Sequence, residues 1–391
     1  MSRRADFSST ALAAGILASF VGFASTFAVI IRGLTAMGAS PEQAASGLLA
    51  VAVAMGLGGI VLSLLTRQPI SIAWSTPGAA LMASSAPVEG GFAGAVGAFL
   101  IAGALIVLAG QIRPLGRAVA AIPAPIANAM LAGVLLPLCL APARAVAATP
   151  AMGLAIVLAW AVVAKFNRLY AVPAAVLVAA LLIGATADLG GLALADLRPT
   201  ATVIAPEFSL SGMIGLAIPL FIVTMASQNI PGLAILNLNS YRPDAGRLFT
   251  ATGILSVLAA PFGALSVNLA AITAALCAGP DAHPDRTRRY WAAVVSGTGY
   301  VLYGLLAGAA TAFIAAAPPL LIEAVAGLAL LGAFGGAIAG AVADPKAREV
   351  ALVTFLVAAS GLTWFGVSGA FWGLIAGGAM HVLTRWRAGT A

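Results

Sequence analysis

Windows of about twenty residues or more that carry no Asp, Glu, Lys or Arg follow one another along almost the whole chain. They run Phe7–Ile31, Gln43–Thr66, Gln68–Val88, Gly90–Ile112, Ala118–Ala143, Ala145–Ala164 and Leu169–Ala187. After a more polar stretch with Asp188, Asp196, Arg198 and Glu207 come Phe208–Tyr241, Leu248–Pro280, Tyr290–Ile322, Ala324–Ala343 and Ala351–Thr384. A membrane crossing takes about 20 apolar residues. Only 8% of the 391 residues are charged, against about a quarter in soluble domains. Lipid is the solvent that fits, and in lipid only helices and closed barrels satisfy every backbone polar group. A barrel strand alternates apolar and polar residues, whereas these runs are unbroken, so the expected class is an all-α polytopic membrane protein.

Two of the later windows hold two segments each. Leu248–Pro280 is split at Pro261 and Gly263, and Ala351–Thr384 around Trp364–Gly369. The expectation is fourteen segments, seven on each side of the polar stretch, with repeats at 1–205 and 206–391. Basic residues retained on the cytoplasmic side test that count. With both termini cytoplasmic, sixteen of the nineteen Lys and Arg fall in cytoplasmic loops, and only Arg32, Arg144 and Arg198 fall on the other side. Seven segments per half place the halves in opposite orientations, the inverted-repeat design of many secondary transporters.

The same distribution argues against a nucleic-acid partner, because the formal charge of +7 is dealt out singly rather than gathered in one patch. Cys139 and Cys277 both sit in apolar runs and suggest neither a disulfide framework nor a thiolate metal site. No HExxH or GxSxG motif occurs, and His283 and His381 are not placed like ligands, so neither an enzyme nor a cofactor is expected. The first apolar run is too long for the core of a signal peptide and reads as a span.

Chemistry is expected where the spans are interrupted. In segment 3, Pro69-Ile70-Ser71-Ile72-Ala73-Trp74-Ser75-Thr76-Pro77-Gly78 begins as poor helix sequence. Ser75 or Thr76 ahead of Pro77 is then a helix-start signal. Segment 10 contains Pro261-Phe262-Gly263-Ala264-Leu265-Ser266-Val267-Asn268, in which Ser266 or Asn268 is expected to cap a second helix. Two helix N-termini facing each other near the midplane, each worth about half a positive charge, form an anion site without Lys or Arg. Ser25 and Thr26 in segment 1 and Gln228 and Asn229 in segment 8 add hydrogen-bonding groups, and Trp74 or Phe262 a surface to stack on an aromatic ring. The bland alternative for the hydroxyls is bonding to their own helix backbone. Glu323 is the one carboxylate embedded in a span, open to a proton-linked role or to packing near a helix end.

Three stretches resemble the benzoate membrane transporter family, a bacterial group of benzoate:proton symporters: Gln68–Leu81, Thr224–Gly232 and Pro261–Arg289. The similarity extends over nearly the whole chain. It implies a fold shared with uracil/xanthine permeases and sulfate-type anion transporters, in which segments 1–4 and 8–11 form a core, and 5–7 and 12–14 a gate. Substrate then sits between segments 3 and 10 beside segments 1 and 8. The resemblance also implies an inner-membrane address, an aromatic carboxylate and protons as partners, and a homodimer formed through the gate. One departure stands out: where uracil-type permeases carry acids in segments 8 and 10, this chain has Gln228, Asn229 and Asn268. Amides suit a carboxylate substrate, which a buried glutamate would repel. The proton carrier is left open between the substrate itself and Glu323.

Overall fold

Inside a bilayer a backbone amide has no water to turn to, and the chain meets that constraint mostly with helices. The computed structural model describes residues 8–112, 114, 122–186, 198, 200–270, 272–364 and 367–388. Arg3, Arg4, Arg113 and Arg117 of the expected cytoplasmic loops, and Asp188 and Asp196 of the polar stretch, lie outside them.

The first half runs α1 (Ser9–Ala36), α2 (Pro41–Thr66), β1 (Ile72–Trp74), α3 (Thr76–Ser84), α4 (Gly91–Gln111), α5 (Ala124–Cys139), α6 (Ala141–Ala148), α7 (Pro150–Phe166) and α8 (Arg168–Thr186). The second runs α9 (Leu210–Leu238), α10 (Ala245–Ala259), β2 (Val267–Leu269), α11 (Ile272–Ala278), α12 (Tyr290–Gly304), α13 (Ala307–Ala316), α14 (Pro319–Val342), α15 (Arg348–Ala359), the hairpin β3 (Thr363–Trp364) and β4 (Val367–Ser368), and α16 (Gly369–Ala388). Among the described residues seven helices are long and apolar enough to cross a membrane, or eight if the pair α12–α13, bent by 53°, counts as one span. The fold is thus a helical membrane bundle, and helix length by itself yields seven or eight spans rather than fourteen.

Local sequence accounts for the starts. Ser40 and Gln43 form a reciprocal capping box at α2, with Pro41 in its first turn. Ser75 caps α3 and Asp244 caps α10. The expected splits appear where the sequence put them: α10 gives way to a tight turn over Ala260–Phe262, and the β3–β4 hairpin separates α15 from α16. Three boundaries move. The Tyr290–Ile322 window bends at Leu305–Leu306, and its next helix starts at Pro319, where proline suits a first turn, so Glu323 lies within α14. Arg32 and Arg144 lie inside α1 and α6 rather than in loops. A helix runs past a charge when that charge finds a partner, and Arg32 Nη2 pairs with Glu323 Oε1 at 2.7 Å across α1 and α14.

Packing follows small residues. Helices α2 and α12 meet where Gly56 and Gly297 face each other; a Cβ on either would come within 2.5 Å of the other's carbonyl oxygen. Lipid tails are as apolar as the side chains, so close backbone contact of this kind replaces the hydrophobic drive between helices. Gly297→Leu should therefore force α2 and α12 apart. The expected cost is about 1–3 kcal/mol of overpacking, read as a lowered unfolding temperature in detergent, whereas the same change at Gly332, where a Cβ meets nothing within 4 Å, should leave the temperature almost unmoved.

Candidate functional site

The site grows from the two interrupted spans. Strands β1 and β2 pair antiparallel, with Ile72 opposite Leu269, Ala73 opposite Asn268 and Trp74 opposite Val267. Two flanking bonds extend the ribbon: Ser75 N–H to Ser266 O at 3.0 Å and Ala270 N–H to Ser71 O at 2.9 Å. Each non-helical segment thereby gives the other the partners that a bilayer lacks. Helix α3 leaves one end of the ribbon and α11 the other, so the two helix starts flank it.

Buried polar side chains complete the ribbon. Asn229 Oδ1 accepts from Leu269 N–H at 2.9 Å, and Ser256 Oγ accepts from Val267 N–H at 2.8 Å. Ser71 and Thr273 share a hydroxyl contact of 3.0 Å, tying β1 to α11. Asn229 belongs to a wide turn of α9, Met225–Asn229, in which the bonds skip five residues rather than four; such bulges recur at functional sites. A second wide turn, Met213–Ala217, precedes Pro219, which has no N–H for the Gly215 carbonyl, and that carbonyl instead accepts from Ser368 Oγ at 3.0 Å.

Against the ribbon lies a cavity of about 480 Å³, counted to its open mouth. Of the residues expected to bind substrate, Ser25, Thr26, Trp74, Thr76 and Gln228 line it. Ser75, Asn229, Ser266, Asn268 and Glu323 do not. Ser75 caps α3 by accepting from Gly78 N–H at 3.1 Å, and it also accepts from Thr224 Oγ1 at 2.8 Å. Ser266 and Asn268 are fully buried. Neither caps a helix as expected, because strand pairing carries the chain on to Leu269 and α11 starts only at Ile272. Asn268 Nδ2 donates to Leu269 O at 2.9 Å. Glu323 is held by Arg32, about two turns along α1 from the cavity-lining Ser25 and Thr26.

The cavity walls are aromatic. Trp74 and Tyr300 stand with ring centroids 6.5 Å apart, and Phe23 backs Trp74 at 5.4 Å. The indole is fixed, since Trp74 Nε1 donates to Thr26 Oγ1 at 2.8 Å while that hydroxyl donates to Gly22 O at 2.9 Å. Ser25 donates to Val21 O in its own helix. The hydroxyls of segment 1 therefore spend their protons on α1. The Gln228 amide and the Thr76 hydroxyl have no hydrogen-bond partner among the described residues. Among the described residues no charged side chain lines the cavity. It can grip a flat ring between aromatic faces and offer a terminal acceptor the Gln228 N–H groups, the Thr76 O–H and the positive end of α3. Sequence reasoning missed Tyr300, Thr273 and Gly22. A Cβ at Gly22 would come within 2.1 Å of the Tyr300 hydroxyl, so this glycine makes room for the ring. The visible signal was a tyrosine in an apolar span, but nothing local says that the span faces Trp74. Among the described residues no three His, Cys, Asp or Glu cluster to hold a metal.

Comparison with known proteins gives a consistent set of relatives. The profile of the family BenE, "Benzoate membrane transport protein", matches residues 5–383. The chain is 40% identical to "Inner membrane protein YdcO" of Escherichia coli (strain K12), over 95% of each chain. It is 32% identical to the "Benzoate membrane transport protein" of Acinetobacter baylyi, over 95% of this chain and 94% of that one. Among solved structures, the transmembrane domain of the cyanobacterial bicarbonate transporter BicA superposes with a TM-score of 0.59 at 16% identity, covering 94% of this chain and 96% of the other. SLC26A9 superposes with a TM-score of 0.63 at 12% identity, covering 95% and 65%. These last two show a shared fold.

The ribbon contacts carry a stability prediction. Asn229→Ala strips the Leu269 N–H of its acceptor in a dry interior and should cost about 1–3 kcal/mol, seen as a lower unfolding temperature in detergent. Ser25→Ala removes only a bond to its own helix and should move that temperature little.

Proposed function

This chain belongs to the benzoate membrane transport protein family and is a membrane transporter, and from that premise we propose that it imports benzoate or a closely related aromatic carboxylate together with protons, by alternating access. The observation that carries the reading is the cavity itself: aromatic walls from Trp74 and Tyr300, with the unpaired Gln228 amide and Thr76 hydroxyl beside the start of α3. The ring of the substrate lies between the aromatic faces, and its carboxylate meets Gln228, Thr76 and the α3 N-terminus. Charge is offset there by oriented N–H and O–H groups rather than by a salt bridge.

In this proposal the chain is a fourteen-segment inverted repeat, 1–205 and 206–391, in the inner membrane with both termini cytoplasmic. Segments 1–4 and 8–11 form a core that moves against a gate of 5–7 and 12–14. The packing supports the division: α2 and α1 lie on α12 and α4 on α10, while α5 lies on α14 and α15, and α7 on α8. The polar contact between Arg32 on α1 and Glu323 on α14 spans the two groups. Because no carboxylate side chain among the described residues lines the cavity, the proton is taken up by the substrate carboxylate itself once it is held there. Asn229, Ser75 and Asn268 hold the ribbon against which substrate binds.

The test is uptake of radiolabelled benzoate into proteoliposomes with and without an inward proton gradient, corrected for benzoic acid that crosses lipid unaided. Protein-dependent, gradient-accelerated uptake that unlabelled benzoate suppresses and uracil, sulfate and bicarbonate do not is the expected outcome. Transport of a competitor without benzoate uptake would keep the fold and overturn the substrate. Gly22→Val, which fills the space beside Tyr300, should cut uptake at least tenfold, equivalent to about 1.4 kcal/mol, with the protein still folded. Gln228→Ala should weaken half-saturation by about ten- to a hundredfold, the loss of one hydrogen bond to a charged group. Glu323→Gln should leave the stimulation by the proton gradient in place; its loss would move the proton from the substrate to Glu323.

A further inference from the structure

Among the described residues, only two other than glycine hold a left-handed backbone, Arg67 (φ +54°) and Ser240 (φ +65°). Such a conformation costs an L-residue stability and persists where its surroundings fix it. Both residues line one cavity, beyond the ends of α2 and α9, with Gln68, Tyr241, Arg242 and Arg286 around them. This cavity is separate from the substrate cavity and shares no lining residue with it.

Its lining is cationic. Three arginines contribute and no carboxylate does. Arg286 is held in place: its Nη1 donates to Ser240 O at 2.8 Å, its guanidinium lies 5.5 Å from the centre of the Tyr241 ring, and Tyr241 Oη donates to Arg286 O at 2.8 Å. Arg67 and Arg242 are exposed, and neither guanidinium has a hydrogen-bond or ion-pair partner among the described residues. The nearest acids in sequence are engaged elsewhere, Asp244 with Arg247 and Asp285 with Thr287 and Arg288. The depth of the cavity in the membrane is marked by its neighbours: Leu65, two residues before Arg67, is 76% exposed, and Leu238, two before Ser240, is 79% exposed. The exposed apolar surface ends where the arginines begin, which is where basic residues meet headgroups at a membrane boundary.

We propose that this cavity binds a phosphate-bearing group, with Arg67, Arg242 and Arg286 as its cationic lining. Guanidinium forks match phosphate oxygens in pairs, and several of them around one space suit a phosphate better than a single carboxylate. Position at the edge of the apolar surface favours the headgroup of an anionic phospholipid as the source.

The test is native mass spectrometry of the purified chain offered phosphatidylglycerol, phosphatidylcholine or inorganic phosphate. Phosphatidylglycerol should be retained over phosphatidylcholine, and its retention should fall about fivefold for each of Arg67→Gln and Arg242→Gln. Arg247→Gln removes an exposed charge of the same region, outside the cavity, and should change retention less than twofold. Retention of inorganic phosphate alone, with the same dependence on Arg67 and Arg242, would keep the phosphate site and assign its source to the aqueous phase. Equal retention of the two lipids, or equal loss in all three variants, would overturn the proposal. Arg67 and Arg242 are exposed, and unchanged unfolding temperatures in phosphatidylcholine would tie any loss to the site rather than to the fold.

Discussion

A three-residue ribbon, β1 on β2, is the contact on which the rest of this structure depends. Neither segment is helical there, and each unpaired peptide group in a bilayer costs several kcal/mol. Pairing Ile72–Trp74 with Val267–Leu269 settles that debt for both at once. The two non-helical stretches are therefore viable only together, and their union brings the start of α3, the start of α11, α1 and α9 around one point. A cavity with aromatic walls and a few free donors is what remains between them.

The polar residues that look out of place in apolar spans divide by what they serve. Asn229 and Ser256 bond the outer edges of the ribbon, Ser75 caps α3 and receives Thr224, and Ser71 meets Thr273. Thr26 orients Trp74. Gln228 and Thr76 are left facing the cavity without partners among the described residues. Adjacent residues thus have different tasks: on the wide turn of α9, Asn229 points at the strand and Gln228 at the cavity. The absence of charge in the cavity fits a transporter that must release its cargo, because oriented neutral dipoles hold an anion without the deep well of a buried ion pair.

Among the described residues, charged side chains lie toward the helix ends and in loops, where they act in pairs or face water. Arg32 and Glu323 join α1 to α14. The loop after α11 is locked by its own bonds: Arg289 donates to His283 O and Ala278 O, and the Asp285 carboxyl, held below its ordinary range chiefly by the Thr287 hydroxyl, organises the turn. Arg67 and Arg242 stand apart from that economy, exposed and uncommitted beside the last apolar turns.

The membrane class, the positions of most helices, the interrupted segments 3 and 10, the Ser75 cap and five of the twelve residues lining the cavity were legible from the chain alone. Those features are local: an apolar run, a hydroxyl before a proline, and a polar pair in a lipid-facing context act through neighbours in sequence. The extent of α1 past Arg32, the bend after Gly304, the burial of Ser266 and Asn268 in the ribbon rather than at a cap, and the place of Tyr300 opposite Trp74 were not. Each depends on which distant segment supplies a partner, Glu323 for Arg32, β1 for β2, Gly22 for the Tyr300 ring, and no pattern within either segment states that. Sequence determined what the chain must hide from lipid and where its helices fail; tertiary structure decided which failures meet, because a backbone group without water can be satisfied only by the particular group brought against it.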